Sequence, residues 1–261
     1  MAGGMAVAET FLRSYLDAES AGHFTYALVS DGDVQEPIFL GSAALFGQWG
    51  LGKLIAYYDS NKIQLAGPTC RVDNVDYKAL FESMHWQVIE IDGHDHEAIR
   101  QAILAGQAET SKPTIIIGHT TMAKGCATLE GSESTHGSPL PEAEIKATKA
   151  KLGLPDEEFH LPQDVLNHFR SRFAALSAGR AAWDKALAAK LADPAFADKW
   201  QNATQPVCER SLTWPTYETG ASVATRKAFG DCLNAMMEQL PTLMGGSADL
   251  DPSNQTEKFR V

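Results

Sequence analysis

The sequence predicts an α/β fold, a parallel sheet with helices on both faces, followed by the opening helix and strand of a second α/β domain. Two runs rich in β-branched and aromatic residues, 24–30 and 54–58, read as buried strands. The stretch between them, residues 38–49 (IFLGSAALFGQW), is long and apolar enough for a crossover helix, which parallel strands need and a hairpin does not. Helical and strand patterns then keep alternating to residue 119, the order that builds a sheet covered on both sides.

Each element follows from its own pattern. Residues 5–16 alternate apolar and polar at helical spacing ahead of the first strand. After the second strand, 74–85 reads as a helix, 87–91 as a strand, 96–107 as a helix and 113–119 as a strand. Residues 118–137 form a long loop rich in Gly, Ser and Thr, and loops of this length inside compact domains are commonly functional. Helices are expected at 143–152 and 163–191; the second, rich in Ala and charge, suits a bracket rather than a seat of chemistry. Asp193-Pro194, Pro206 and Pro215 mark a changeover, after which 219–239 reads as a helix and 242–248 as a strand. A domain boundary is therefore expected near Pro206, dividing 1–205 from 206–261.

Composition narrows the function. With 261 residues, 44% of them hydrophobic, the chain can bury a real core. A formal net charge of −11 argues against nucleic acid or an anionic membrane as partner, although a metal and a few placed cations could still hold a phosphorylated substrate. Cys70, Cys126, Cys208 and Cys232 are widely spaced without a metal-ligand pattern, so reduced thiols are expected. No apolar run reaches the length of about eighteen residues that marks a membrane span, and no signal-peptide pattern opens the chain; a cytoplasmic protein is expected.

The chemistry concentrates where strands end. Asp31-Gly32 follows the first strand and Asn61, in YYDSNKI, follows the second, and in parallel sheets ligands sit beyond those carboxyl ends. Magnesium takes near-octahedral oxygen coordination, usually one or two side chains plus water and phosphate oxygens. Asp31 offers a charged oxygen, Asn61 a neutral one and the carbonyl of Ile63 a third. An Asp-Gly pair after a strand is, by itself, only a turn signal. The Asn at this spacing after a second strand adds the case for a magnesium diphosphate site.

These residues resemble the magnesium motif of thiamine diphosphate enzymes, Gly-Asp-Gly followed by Asn some thirty residues on. The chain is more narrowly similar to the transketolase family, through DGDVQEP (31–37), GLGKLIAYYDSNKI (50–63), IDGHD (91–95), THGSPL (135–140), ATRKAFG (224–230) and GGSADLDPSN (245–254). Ser30 stands where the family usually has the first Gly. The resemblance implies a thiamine diphosphate-binding fold holding the cofactor and Mg2+, or Ca2+ or Mn2+ in its place. It implies transfer of a two-carbon ketol unit from a ketose phosphate to an aldose phosphate in the pentose phosphate pathway, by a homodimer.

The resemblance also distributes roles. Asp31, Asn61 and Ile63 hold the metal, and Gly32 lets the backbone approach the diphosphate. Leu65 sits where the family has an aliphatic residue against the cofactor ring, although packing explains it first. His136 becomes a catalytic donor to both diphosphate and substrate, where a lone loop histidine would otherwise be a solvated bystander. Asp249 lines the cofactor pocket, and Arg226 and Ser253 bind the substrate phosphate; an exposed helical cation, a turn and a cap are the plain alternatives. Glu36 aligns with a glutamate near the subunit interface and suits a helix start equally well. His94 and His96 are left as surface or helix-start residues.

The family's pattern extends on both sides of these residues. The chain is thus expected to be a partial one, the latter part of the diphosphate-binding domain and the start of the pyrimidine-binding domain, and inactive alone. The alternative is a non-catalytic or partner-dependent cofactor-binding subunit of a split thiamine diphosphate enzyme. A 1-deoxyxylulose phosphate synthase or a 2-oxoacid dehydrogenase component is disfavoured by THGSPL and GGSADLDPSN.

Overall fold

The computed structural model describes residues 1–247, 249–256 and 259. The chain divides into two compact units, Met1–Leu176 and Ser177–Val261. The first runs α1 (Ala2–Tyr15), β1 (Thr25–Ser30), α2 (Asp31–Gln35), α3 (Pro37–Gln48), β2 (Leu54–Ser60), β3 (Ile63–Gln64), β4 (Gly67–Pro68), α4 (Tyr77–Ser83), β5 (Gln87–Asp92), α5 (His96–Ala108), β6 (Thr114–His119) and α6 (Glu142–Leu152). The division falls within α7 (Gln163–Lys190), and the second unit adds α8 (Pro194–Thr204), α9 (Thr225–Gln239) and α10 (Asp251–Asn254).

Four strands pair in the order β1-β2-β6-β5, all parallel, with Ala27 opposite Ala56, Ala56 opposite Ile115, and Ile115 opposite Val88. β2 and β6 are the inner strands, and a strand covered on both faces has little use for polar residues. Leu54, Ala56, Tyr58, Ile115 and Ile117 pack with Ala6, Val34, Ala43 and Phe81 from α1, α2, α3 and α4. The alternate residues Ile55 and Ile116 pack with Ala102 of α5 on the other face. Val34 and Phe81 are fully buried, and burial of such side chains contributes about 1.5–3 kcal/mol each. Trp86 joins the first layer and donates its indole N–H to the carbonyl of Ala43 at 2.9 Å. Gly47 lets α3 pass the end of α4, since a Cβ there would collide with the Met84 carbonyl oxygen.

In the second unit the rings of Trp183 and Phe196 each lie near Trp200, at 6.2 and 6.4 Å between centroids. Arg210 donates to the Asn202 carbonyl at 2.6 Å, satisfying an acceptor that the last turn of α8 leaves open. Among the described residues no helix is long and apolar enough to cross a membrane. All four cysteines are free.

Several elements differ from expectation for local reasons. The helix expected from residue 74 starts at Tyr77 because Asp76 caps it, accepting from the Ala79 N–H at 3.0 Å. Residues 194–204 form a helix where a changeover was expected. Pro194 takes its first position, where a missing N–H is no loss, and Asp193 caps it by accepting from Ala195 at 3.0 Å. The last long helix starts at Thr225 instead of residue 219. The strand expected at 242–248 is not formed over 242–247, and Ala248 lies outside the described residues. A strand exists only within a ladder, and no described residue pairs with this segment. The N–H of Leu243 instead donates back to Leu240 at 2.9 Å, in a turn through Pro241.

Candidate functional site

β1 and β2 end together, with Ser30 opposite Asp59, so the residues that follow each strand meet over the same edge of the sheet. Ser30 and Asp33 form a capping box: the Ser30 N–H and hydroxyl both donate to Asp33 Oδ2 at 2.8 Å, and the Asp33 N–H points back at the Ser30 hydroxyl. Ser30 itself is extended (φ −117, ψ 175), a conformation open to any residue, so its backbone does not call for the family's glycine. The S-x-x-D spacing of Ser30 and Asp33 would have marked this helix start, which the sequence reading passed over.

Asp31 is the first residue of α2 and only 5% exposed. Its Oδ1 accepts from the Tyr58 hydroxyl at 2.6 Å and its Oδ2 from the Lys62 N–H at 3.0 Å. Burial pushes its carboxyl above the usual aspartate value, the two hydrogen bonds pull it back, and the charges of Asp59 and Asp73 add to the rise. Tyr58 is raised in turn, first by its own burial and then by its bond to Asp31. No cationic side chain pairs with Asp31 among the described residues.

The chain leaves β2 through Asn61, Lys62 and Ile63. Lys62 sits in the left-handed region at φ +60, which turns its N–H toward Asp31. Asn61 Oδ1 accepts from the Ile63 N–H at 2.9 Å, fixing the amide beside the turn. β3 then pairs antiparallel with β4, and Leu65 stands at the tip of this hairpin, 74% exposed. The structure therefore gathers Asp31, Gly32, Asn61, Ile63 and Leu65 in one place, and adds Tyr58 and the Lys62 backbone, which the sequence did not single out.

The donor set fits magnesium held jointly with a diphosphate. It offers one carboxylate, one amide oxygen and one backbone carbonyl, all hard oxygens, and no described group of three or more His, Cys, Asp or Glu competes as a metal cage. A buried carboxylate without a cationic partner is a group that a bound cation would relieve. Gly32 is exposed, its φ is not positive, and a Cβ built on it would meet nothing nearer than the Ser30 hydroxyl at 3.9 Å. The protein's own packing does not demand glycine there, which leaves the backbone open to close approach by a bound group. A cavity of about 340 Å³ borders Asp31 on the side of Tyr58, Ser60, Lys62 and Asp73.

His136 lies in the long loop after β6, half-buried at the end of a short turn (Glu133–Thr135), and its ring has no hydrogen-bond or ion-pair partner among the described residues. The part of the loop ahead of it is tied down. Thr120 donates to Asp59, and the Thr121 N–H donates to His94 Nε2 at 2.8 Å, a use for His94 beyond a surface or helix-start residue. Glu144 of α6 accepts from the Thr128 N–H at 2.7 Å, the Thr128 hydroxyl at 2.8 Å and the Leu129 N–H at 3.2 Å. The Thr128 bonds hold its carboxyl below the usual glutamate value. No hydrogen bond or ion pair joins His136 to Asp31 or Asn61 among the described residues.

Arg226, Asp249 and Ser253 all belong to the second unit. Arg226 is in the first turn of α9, exposed, with no hydrogen-bond or ion-pair partner among the described residues. Asp249 is exposed, and Ser253 is half-buried in α10. Glu36 is at the N-cap of α3 ahead of Pro37, without a capping hydrogen bond.

The family model for transketolase, thiamine diphosphate binding domain, matches residues 1–206. The chain is 37% identical over 269 residues to Transketolase 2 of Escherichia coli, covering 97% of this chain and 40% of that protein. It is 36% identical to the chloroplastic transketolase of Spinacia oleracea over 263 residues, 97% of this chain and 35% of that one. Among solved structures, transketolase from Leishmania mexicana superposes with a TM-score of 0.88 at 33% identity, and that from Campylobacter jejuni with 0.87 at 35%; each match covers 98% of this chain and 39% of the other. A Pichia stipitis transketolase in complex with sedoheptulose 7-phosphate matches with a TM-score of 0.87 at 31% identity. The chain spans about 40% of the length of the Escherichia coli relative.

Proposed function

This chain belongs to the transketolase family through its thiamine diphosphate-binding domain, and from that premise we propose that it provides the metal and diphosphate side of a transketolase site. The reaction is transfer of a two-carbon ketol unit from a ketose phosphate to an aldose phosphate, in the pentose phosphate pathway. The activity is proposed for a polypeptide of the relatives' length, working as a homodimer. The observation that carries the proposal is Asp31, a buried carboxylate without a cationic partner among the described residues, bonded to the backbone one residue from Asn61.

In this reading Asp31, Asn61 and the Ile63 carbonyl hold Mg2+, and Gly32 admits the diphosphate. Thiamine diphosphate, when bound, supplies the nucleophilic carbon and the electron sink for making and breaking a carbon–carbon bond beside a carbonyl. Leu65 gives the cofactor ring an apolar surface. His136, its ring without a partner among the described residues, donates a hydrogen bond to the diphosphate and to a substrate hydroxyl. Arg226 offers a planar fork to the substrate phosphate, Ser253 completes that contact, and Asp249 lines the cofactor pocket. Residues 1–205 form the diphosphate-binding domain with its helical linker, and 206–261 open the pyrimidine-binding domain.

Calorimetric titration of the chain with thiamine diphosphate tests the reading. Binding should require Mg2+ and disappear with chelator. Asp31→Asn and Asn61→Ala should each weaken it by more than about tenfold, the loss typical even of residues one layer behind a metal ligand. Binding indifferent to both substitutions would exclude the site.

A further inference from the structure

Gln35, Gln64 and Asp73 come from three separate stretches of chain and meet beside the Asp31–Asn61 site, each half-buried. Gln64 Nε2 donates to Gln35 Oε1 at 3.0 Å. Gln35 Nε2 donates to Asp73 Oδ2 at 3.3 Å, and the Tyr77 hydroxyl donates to the same oxygen at 2.7 Å. Asp73 Oδ1 accepts from the Val75 N–H at 3.0 Å, which pins the carboxylate to its own backbone. A carboxylate can only accept, so Asp73 dictates how the Gln35 amide faces: nitrogen toward Asp73, oxygen toward Gln64, which must then donate. The row of bonds has one direction.

Two of its three members, Gln35 in the middle and Gln64 at one end, sit on the segments that carry the metal donors. Gln35 closes α2, whose first residue is Asp31. Gln64 directly follows Ile63 in β3. The same two segments also touch where the Lys62 N–H reaches Asp31 Oδ2. Two points of contact fix an orientation that one leaves free to swing. We propose that Gln35, Gln64 and Asp73 are positioning residues, a one-way clamp that holds the Asn61–Ile63 turn against α2 and so sets the spacing between the Asp31 carboxylate and the other oxygen donors. That these donors serve a metal rests on the function proposed above; the clamp does not.

Amide hydrogen exchange in the metal-free full chain, resolved by NMR, tests the clamp. The probes are the N–H groups of Lys62 and Ile63, which donate to Asp31 Oδ2 and Asn61 Oδ1. Gln64→Glu sets acceptor against acceptor, and exchange at both amides should rise roughly fivefold or more, as expected for loss of one net hydrogen bond from a local opening. The amides of Ile55 to Tyr58 in β2 should keep their rates. Adding Asp73→Asn lets both amide bonds of the row reverse: the introduced asparagine amide nitrogen donates to Gln35 Oε1 and Gln35 Nε2 donates to the introduced glutamate, while the amide oxygen keeps the Val75 N–H and the Tyr77 hydroxyl turns to accept. Exchange in the double variant should return to within about twofold of the parent, a rescue that general destabilisation cannot produce. Unchanged exchange in Gln64→Glu, faster exchange throughout β2, or a double variant as fast as the single one would each overturn the clamp. A Mg2+ titration with thiamine diphosphate separates this from the functional reading: if Asp31→Asn binds like the parent, the metal role fails while the exchange result stands.

Discussion

Replacing Tyr58 with Phe isolates one bond. The hydroxyl donates to Asp31 Oδ1 at 2.6 Å, while the ring lies edge-on to Tyr77 at 5.7 Å between centroids, a contact that phenylalanine keeps. The loss is therefore that of a hydrogen bond to a buried charge, about 1.5–3 kcal/mol. Asp31 already has its folded pKa raised above the ordinary 3.8, so its charge weakens the fold at neutral pH. Stability is regained as pH falls through the raised folded value toward the unfolded one. Tyr58→Phe removes one of the bonds that pull the pKa back, so it moves the folded value further up. Its cost should be largest at pH 7 and shrink as Asp31 takes up its proton. Urea unfolding in metal-free buffer should show a midpoint lower by roughly 1 M at pH 7, with the gap narrowing at pH 4. No loss at pH 7, or the same loss at both, would refute the account of Asp31 as a buried anion held by two hydrogen bonds.

Two further outcomes follow from contacts elsewhere. The lowered pKa of Glu144 means that its bonds to Thr128 and Leu129 contribute fully above the ordinary value of 4.5 and are lost as pH falls through the folded value. Limited proteolysis, read by mass spectrometry, should cut residues 120–141 faster at acid pH, and Glu144→Gln should show the faster cutting already at pH 7. Gly47→Ala forces a methyl group into the Met84 carbonyl and should destabilise the chain by about 1–3 kcal/mol in a denaturant titration.

The sheet was legible because its inner strands are buried on both faces, so that LIAYY and TIII carry their position in their composition. Asp31 and Asn61 were legible because a parallel sheet converts sequence spacing into adjacency at one edge. Tyr58, Gln35, Gln64 and Asp73 were not, since side-chain bonds across 27, 29 and 38 positions leave no periodic trace. α8 was hidden because Pro194 reads as a breaker until Asp193 is seen as its cap. The segment 242–247 has strand-like composition before its glycines, but pairing is a property of neighbours rather than of the segment. The resemblance, not any local pattern, singled out His136, Arg226, Asp249 and Ser253.

The capping box of Ser30 and Asp33 caps α2 from within the chain, so the helix that carries Asp31 takes its N-terminal bonds from its own residues rather than from a ligand. A site assembled in advance has a kinetic signature. Arrival of a ligand is then a single encounter, and the observed rate should climb in proportion to concentration without levelling off at the speed of a folding step. Substitutions around such a site would change how long a bound group stays far more than how quickly it comes.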